Sequence, residues 1–164
     1  MRTIEIMDTT LRDGEQTTGV SYTDSEKLNI AKALLEDVKA DRIEIASARV
    51  SEGEYKGVST ITQWALKSGH IEKVEVLGFV DGGKSIDWIE SAGAKVLNLL
   101  TKGSLKHCIE QLKKSPEQHI LEIKETLKYA SKKGIKVNIY LEDWSNGMRN
   151  SKDYVFQMID SLKN

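Results

Sequence analysis

Thr3-Ile4-Glu5-Ile6-Met7-Asp8-Thr9-Thr10-Leu11-Arg12-Asp13-Gly14-Glu15-Gln16 passes from an apolar strand straight into a cluster of charged and amide groups. A strand has no packing use for an arginine, carboxylates and a glutamine at its carboxyl end. In parallel α/β folds that end is where ligands bind, so the abrupt change points to catalysis. With its hard oxygen donors, the cluster reads as half of a metal site whose other half is missing.

The same transition recurs along the chain. Apolar, β-rich runs at Ile4–Asp8, Arg42–Ala46, Lys73–Phe79, Lys95–Leu100 and Lys136–Glu142 are each followed by a longer stretch with helical spacing. The runs alternate poorly in polarity, as parallel strands covered on both faces do. Thr23-Asp24-Ser25-Glu26 is a capping box that opens a helix to about Val38, with Leu28, Ala31, Leu34, Leu35 and Val38 as its buried stripe. Ser115-Pro116-Glu117-Gln118 repeats the logic, with proline at the first helical position, and predicts a helix to about Lys133. A further helix is expected from about Ser151 to Leu162. Ser68-Gly69, Ala92-Gly93 and Lys133-Gly134 mark helix exits, and Gly93-Ala94-Lys95-Val96 and Gly134-Ile135-Lys136-Val137 are equivalent αβ turns.

Five βα units result, about five-eighths of a (β/α)8 TIM barrel, which takes about 250 residues. The competing architecture is an open five-stranded sheet with helices on both faces. Residues 1–164 are therefore expected to be the N-terminal portion of an incomplete barrel domain, its free edges favouring aggregation or dimerisation.

Bulk properties narrow the function. At 39% hydrophobic and 30% charged residues the chain reads as an ordinary globular protein, and a net charge of -1 provides no basic field for nucleic acid or an anionic membrane. No signal segment and no apolar run of membrane-spanning length is visible, so a soluble cytoplasmic protein acting on small molecules is expected. The lone Cys108 excludes an internal disulfide and reads as a packing residue; His70, His107 and His119 offer no metal spacing and read likewise. Asp81-Gly82-Gly83-Lys84 lacks the spacing of a nucleotide loop and reads as a turn.

At the strand ends, Asp13 is a candidate ligand for a divalent cation, and the planar fork of Arg12 can hold a 2-oxo group or a developing oxyanion. Glu142 closes an apolar run, where its carboxylate either positions a base or water or caps the short helical segment after it. Glu44 alternates with Ile43 and Ile45, facing a barrel interior where either Arg12 or Arg49 can pair with it. Leu77, Leu100 and Tyr140 stand near three successive strand ends, either as an apolar wall or as the top of the core. Trp64 and Trp88 sit in helical stripes and read as core contacts.

The string Asp8 to Gln16 resembles the first-strand signature of the DRE-TIM metallolyases, within them the 2-isopropylmalate, homocitrate and citramalate synthases. Arg42–Val50, Val96–Ser104 and Tyr140–Trp144 are most similar to the citramalate synthases. The resemblance implies a TIM barrel that condenses acetyl-CoA with a 2-oxo acid around a divalent metal (Mg2+, Mn2+ or Zn2+), in a homodimeric enzyme of branched-chain amino acid biosynthesis. It implies Asp13 as metal ligand, Arg12 as the cation that polarises the oxo group, and Glu142 as activator of the acetyl methyl group or its water. Gln16 would line the substrate site, with Leu77, Leu100 and Tyr140 favouring the small methyl of pyruvate.

Two departures accompany it. The family's His-x-His ligands on a later strand and the regulatory domain of many relatives have no counterpart in this sequence. Turnover by this stretch alone is accordingly not expected. Carbon–carbon cleavage of the hydroxymethylglutaryl-CoA lyase type and a non-catalytic half-barrel are the competing readings.

Overall fold

The computed structural model describes residues 4–163. Its sheet contains β1 (Met7–Asp8), β2 (Arg42–Ser47), β3 (Val74–Phe79), β4 (Val96–Lys102) and β5 (Lys136–Glu142). All neighbours are parallel and the order is β1-β2-β3-β4-β5. An open doubly wound sheet reverses its strand order at a switch point. Here each crossover adds the next strand on the same side, so the helices share one face and the sheet curls as a half-barrel. The open-sheet alternative is thereby rejected. Curling brings the outer strands together across the interior, where the Tyr140 hydroxyl of β5 lies 3.3 Å from the Met7 sulfur of β1.

Helices α1 (Asp24–Lys32), α2 (Glu52–Ser68), α3 (Lys84–Ser91), α4 (Pro116–Lys132), α5 (Trp144–Asn150) and α6 (Lys152–Leu162) cover the outside. Outward strand residues such as Ile43, Ile45, Val76, Leu97 and Leu99 pack against Ile61, Ile86, Ile89, Ile123 and Met158. Fully burying each such side chain contributes roughly 1.5–3 kcal/mol, so this one-sided layer is the principal source of stability. Trp64 and Trp88 pack partly buried against it, and Cys108 is fully buried.

The predicted caps are present. Thr23 accepts from Glu26 N–H at 3.3 Å while Glu26 accepts from Thr23 N–H at 2.8 Å. Ser115 accepts from Gln118 N–H at 3.2 Å, with Pro116 in the first turn. Gly69, Gly93 and Gly134 leave their helices at φ of 78°, 83° and 67°, the left-handed conformation glycine takes without a Cβ clash.

Two expectations are corrected. The helix after Thr23 reaches Val38, but its last turn, Ala33–Asp37, widens to a π turn. The wider turn shifts the phase of the helix, so Leu35 stays buried and Val38 points to solvent instead of joining the stripe. The first strand is shorter than Ile4–Asp8: only Met7 and Asp8 join the ladder, while Ile4 and Ile6 are exposed. As an edge strand β1 has one neighbour to order it, and Ile6 is tied instead through its N–H to the Asp41 carboxylate at 2.8 Å. Thr3 lies outside the described residues.

Candidate functional site

The loop after β1 is folded by its own backbone. Three successive N–H groups, of Arg12, Asp13 and Gly14, donate to the Thr9 carbonyl at 3.1, 2.8 and 3.2 Å, and Leu11 is buried beneath as an anchor. Asp8 accepts from Thr10 N–H at 2.9 Å and so braces the turn.

This turn points Arg12 inward. Its Nε donates to Glu44 at 2.5 Å and its Nη1 to Asp13 at 2.7 Å. Glu44 is fully buried, and its other oxygen accepts from Asn98 Nδ2 at 2.7 Å. Arg49, the other partner left open by the sequence, pairs with Asp81 at 2.7 Å. The network continues across the inner face: Asn138 donates to Asn98 Oδ1 at 3.3 Å and to Glu75 at 2.9 Å, and Glu75 accepts from Arg42 at 3.1 Å. Burial raises the Glu75 carboxyl above the ordinary range, with Arg42 and Asn138 opposing. Burial, then the charges of Glu44 and Glu75, push the Tyr140 phenol up, so this hydroxyl stays protonated and accepts from Asn98 at 3.1 Å.

The structure groups the predicted residues into two neighbouring sets. Arg12 and Gln16 line one cavity of about 180 Å³ with Ser47 and Val50. Leu100, Tyr140 and Glu142 line a second, about 520 Å³, with Trp144. Leu100 and Tyr140 are register partners, while Leu77 is buried two register positions below, paired with Asn98. The sets are joined through Tyr140, Asn98, Glu44 and Arg12. Asp13 is 61% exposed at the rim. Among the described residues no three histidine, cysteine, aspartate or glutamate side chains come together as a metal-holding group. No helix among them is long and apolar enough to cross a membrane.

Two lysines complete the site: Lys102, one of the polar residues at the strand ends, and Lys27, whose role the strand ends do not signal. Lys27, 4% exposed, contacts Glu15 and Glu54, both at 2.6 Å, tying the first loop to α2. Burial lowers its pKa, but the two carboxylates outweigh this and hold it above the usual lysine range. The sequence signal is its place four residues before Ala31, on the apolar stripe. Lys102, at the end of β4, pairs with Glu142.

Lys102 is itself braced from the helix layer, since its N–H donates to Nε2 of the buried His119 at 3.2 Å. Burial, with the charges of Lys114 and Lys102, lowers the His119 pKa, while Glu122 opposes. The unfolded chain therefore takes up a proton near pH 6.5, about the ordinary histidine value, that the folded chain refuses. The contribution is intact above that pH and is lost as pH falls below it. The melting temperature should drop between about pH 7 and 5, and His119→Gln, which keeps an acceptor for Lys102, should flatten that drop. An equally steep fall in the variant would exonerate His119.

Residues 3–164 match the family described as HMGL-like. The chain is 35% identical over 141 residues to (R)-citramalate synthase of Methanocaldococcus jannaschii, covering 85% of this chain and 27% of that one. It is 35% identical over 157 residues to 2-isopropylmalate synthase of Saccharolobus solfataricus, covering 95% and 38%. For 2-isopropylmalate synthase of Polynucleobacter asymbioticus the figures are 31% over 159 residues, 97% and 30%. The chain thus spans between 27% and 38% of the length of these curated relatives. In fold it resembles a crystal structure from Anabaena variabilis, named as a candidate sugar phosphate isomerase/epimerase, with a TM-score of 0.54 at 11% identity, covering 99% of this chain and 62% of that one.

Proposed function

Since the chain belongs to the HMGL-like family, we propose that the protein carrying it is an acyltransferase that condenses acetyl-CoA with a 2-oxo acid, pyruvate by preference, to give citramalate. The observation that carries this reading is the guanidinium of Arg12, held by the buried Glu44 at the carboxyl end of β1 beside Asp13. Relatives named citramalate and 2-isopropylmalate synthase support the same class. In this proposal the protein is a cytoplasmic homodimer of branched-chain amino acid biosynthesis.

Glu142 takes a proton from the acetyl methyl group, and the resulting carbanion equivalent forms a bond to the oxo carbon. Arg12 then neutralises charge on the oxo oxygen as it becomes an alkoxide, and the proton that Glu142 took is returned to that oxygen, giving the hydroxyl and restoring the carboxylate. Water cleaves the thioester, releasing CoA and the new carboxylate. Gln16 lines the cavity beside Arg12. Asp13 supplies one oxygen, which does not make a metal site by itself; a divalent ion, Mg2+, Mn2+ or Zn2+, would take further ligands from outside the described residues. No step is therefore assigned to it, and the 164-residue chain alone is proposed to be silent.

Oxo-acid-dependent CoA release by the full-length protein, followed with a thiol reagent in Mg2+ or Mn2+, tests this. Release with pyruvate alone supports a citramalate synthase, and preference for 2-oxoisovalerate makes it an isopropylmalate synthase. Silence with every acid moves the reading to a lyase or a non-catalytic relative. The apolar wall is tested with Leu100→Ala combined with Tyr140→Ala. Enlarging the pocket should lower the ratio of activity on pyruvate to that on 2-oxoisovalerate by about 10-fold or more. An unchanged ratio rejects the wall.

A further inference from the structure

The turn from β5 into α5 is built with unusual care. Asp143 follows Glu142 at φ 65°, in the left-handed region that few residues other than glycine adopt. Although it stands at the N-cap of α5, its side chain makes no capping bond to that helix. The carboxylate is instead engaged by side chains, one oxygen by the loop after β4 and the other by Asn146 within α5. Ser104 Oγ donates to Oδ2 at 2.7 Å, Asn146 Nδ2 donates to Oδ1 at 2.6 Å, and His107 Nε2 lies 3.5 Å from Oδ2.

The backbone closes on the same point. Gly103 N–H donates to the Glu142 carbonyl at 2.6 Å, and a Cβ on Gly103 would stand 2.9 Å from the Leu141 carbonyl oxygen. Lys102, one residue earlier, is fixed at both backbone groups: its N–H donates to His119 and its carbonyl accepts from the Tyr154 hydroxyl at 2.9 Å. Lys102 is thus set in place by the helix layer. Glu142 is the register partner of Lys102 at the end of the β4–β5 ladder, and Asp143 opens the turn directly after it.

We propose that Asp143 is a positioning residue for Glu142: by locking the turn after β5 onto the loop after β4, it sets the Glu142 carboxylate against the Lys102 ammonium. The inference rests on the reading of Glu142 as the proton acceptor. Glycine at this position would permit φ 65° without enforcing it. Aspartate, with its two oxygens held from the loop after β4 and from α5, enforces it.

The test compares Asp143→Gly, which keeps the backbone allowed and deletes the lock, with Asp143→Asn, which tolerates the same φ and keeps one acceptor. In the full-length protein, D143G should lower kcat for CoA release by about 10–100-fold, the effect of misplacing a reacting group by about 1 Å, with KM for the oxo acid nearly unchanged. D143N should fall between D143G and the parent. Parental kcat in D143G, or a loss expressed only in KM, overturns the proposal. A crystal structure of D143G gives a readout independent of turnover: departure of Glu142 from Lys102 supports positioning, and an unmoved pair overturns it. Silence of the parent with every oxo acid would remove the catalytic reading of Glu142, while that structure would still decide the geometry.

Discussion

Arg12→Ala should lower CoA release by the full-length protein about 10²–10³-fold, the range seen when one donor to a developing oxyanion is removed. It should also destabilise the fold, because Glu44 is fully buried and keeps only the Asn98 amide once the guanidinium is gone. Stranding one partner of a buried ion pair costs about 3–5 kcal/mol. The Asp13 contact adds little, since Asp13 is 61% exposed and solvent screens the pair. The two losses are separable. Glu44→Gln in the Arg12→Ala background removes the stranded charge and keeps an acceptor for Asn98, so stability should return while activity does not. Urea denaturation and thiol release on the same pair of variants measure both. Recovery of activity with stability would mean that Arg12 acts only as a structural counter-ion.

What could be read in advance follows from which interactions are local in sequence. The caps at Thr23 and Ser115 and the glycine exits at Gly69, Gly93 and Gly134 depend on neighbours within a few residues, so their chemistry is written in the string itself. The βα repeat was legible for the same reason, and the motif at Arg12 marked where the chemistry lies. Choices made through space were not. Whether Glu44 pairs with Arg12 or Arg49 depends on strand stagger, which periodicity does not encode. Asn98 and Asn138 interrupt apolar strands, and that interruption is the signal of a polar interior. It becomes readable once the sheet is known to curl, leaving its inner face without helices. The exposed Val38 and the shortened β1 share a cause: a widened turn and a missing second neighbour override the local pattern.

The contact of α5 with the β4 loop leads to the second large effect. Glycine inside a helix normally disfavours it by about 1 kcal/mol relative to alanine and by less in the first turn, where Gly53 of α2 sits with only the Ser51 hydroxyl at 3.7 Å from an added Cβ. Gly53→Ala should therefore stabilise the chain by about 0.4 kcal/mol, the lower end of the gain from a compatible Gly→Ala change. Gly147 lies in α5, where helix propensity argues for the same gain. A Cβ there would stand 2.0 Å from the Gly103 carbonyl oxygen and 3.0 Å from a Val155 methyl. Backbone cannot rotate away as a side chain does, and Gly103 is itself confined between its bond to the Glu142 carbonyl and the nearby Leu141 carbonyl. Gly147→Ala must therefore push α5 off the loop after β4, disturbing the burial of Val155 beside it. Its destabilisation should reach or exceed the upper end of the roughly 1–3 kcal/mol that overpacking costs, outweighing the propensity gain. Denaturant midpoints of the two variants against the parent make the comparison. Should Gly147→Ala match or exceed the parent's stability, α5 does not pack on the β4 loop as described, and the lock at Asp143 would lose its frame as well.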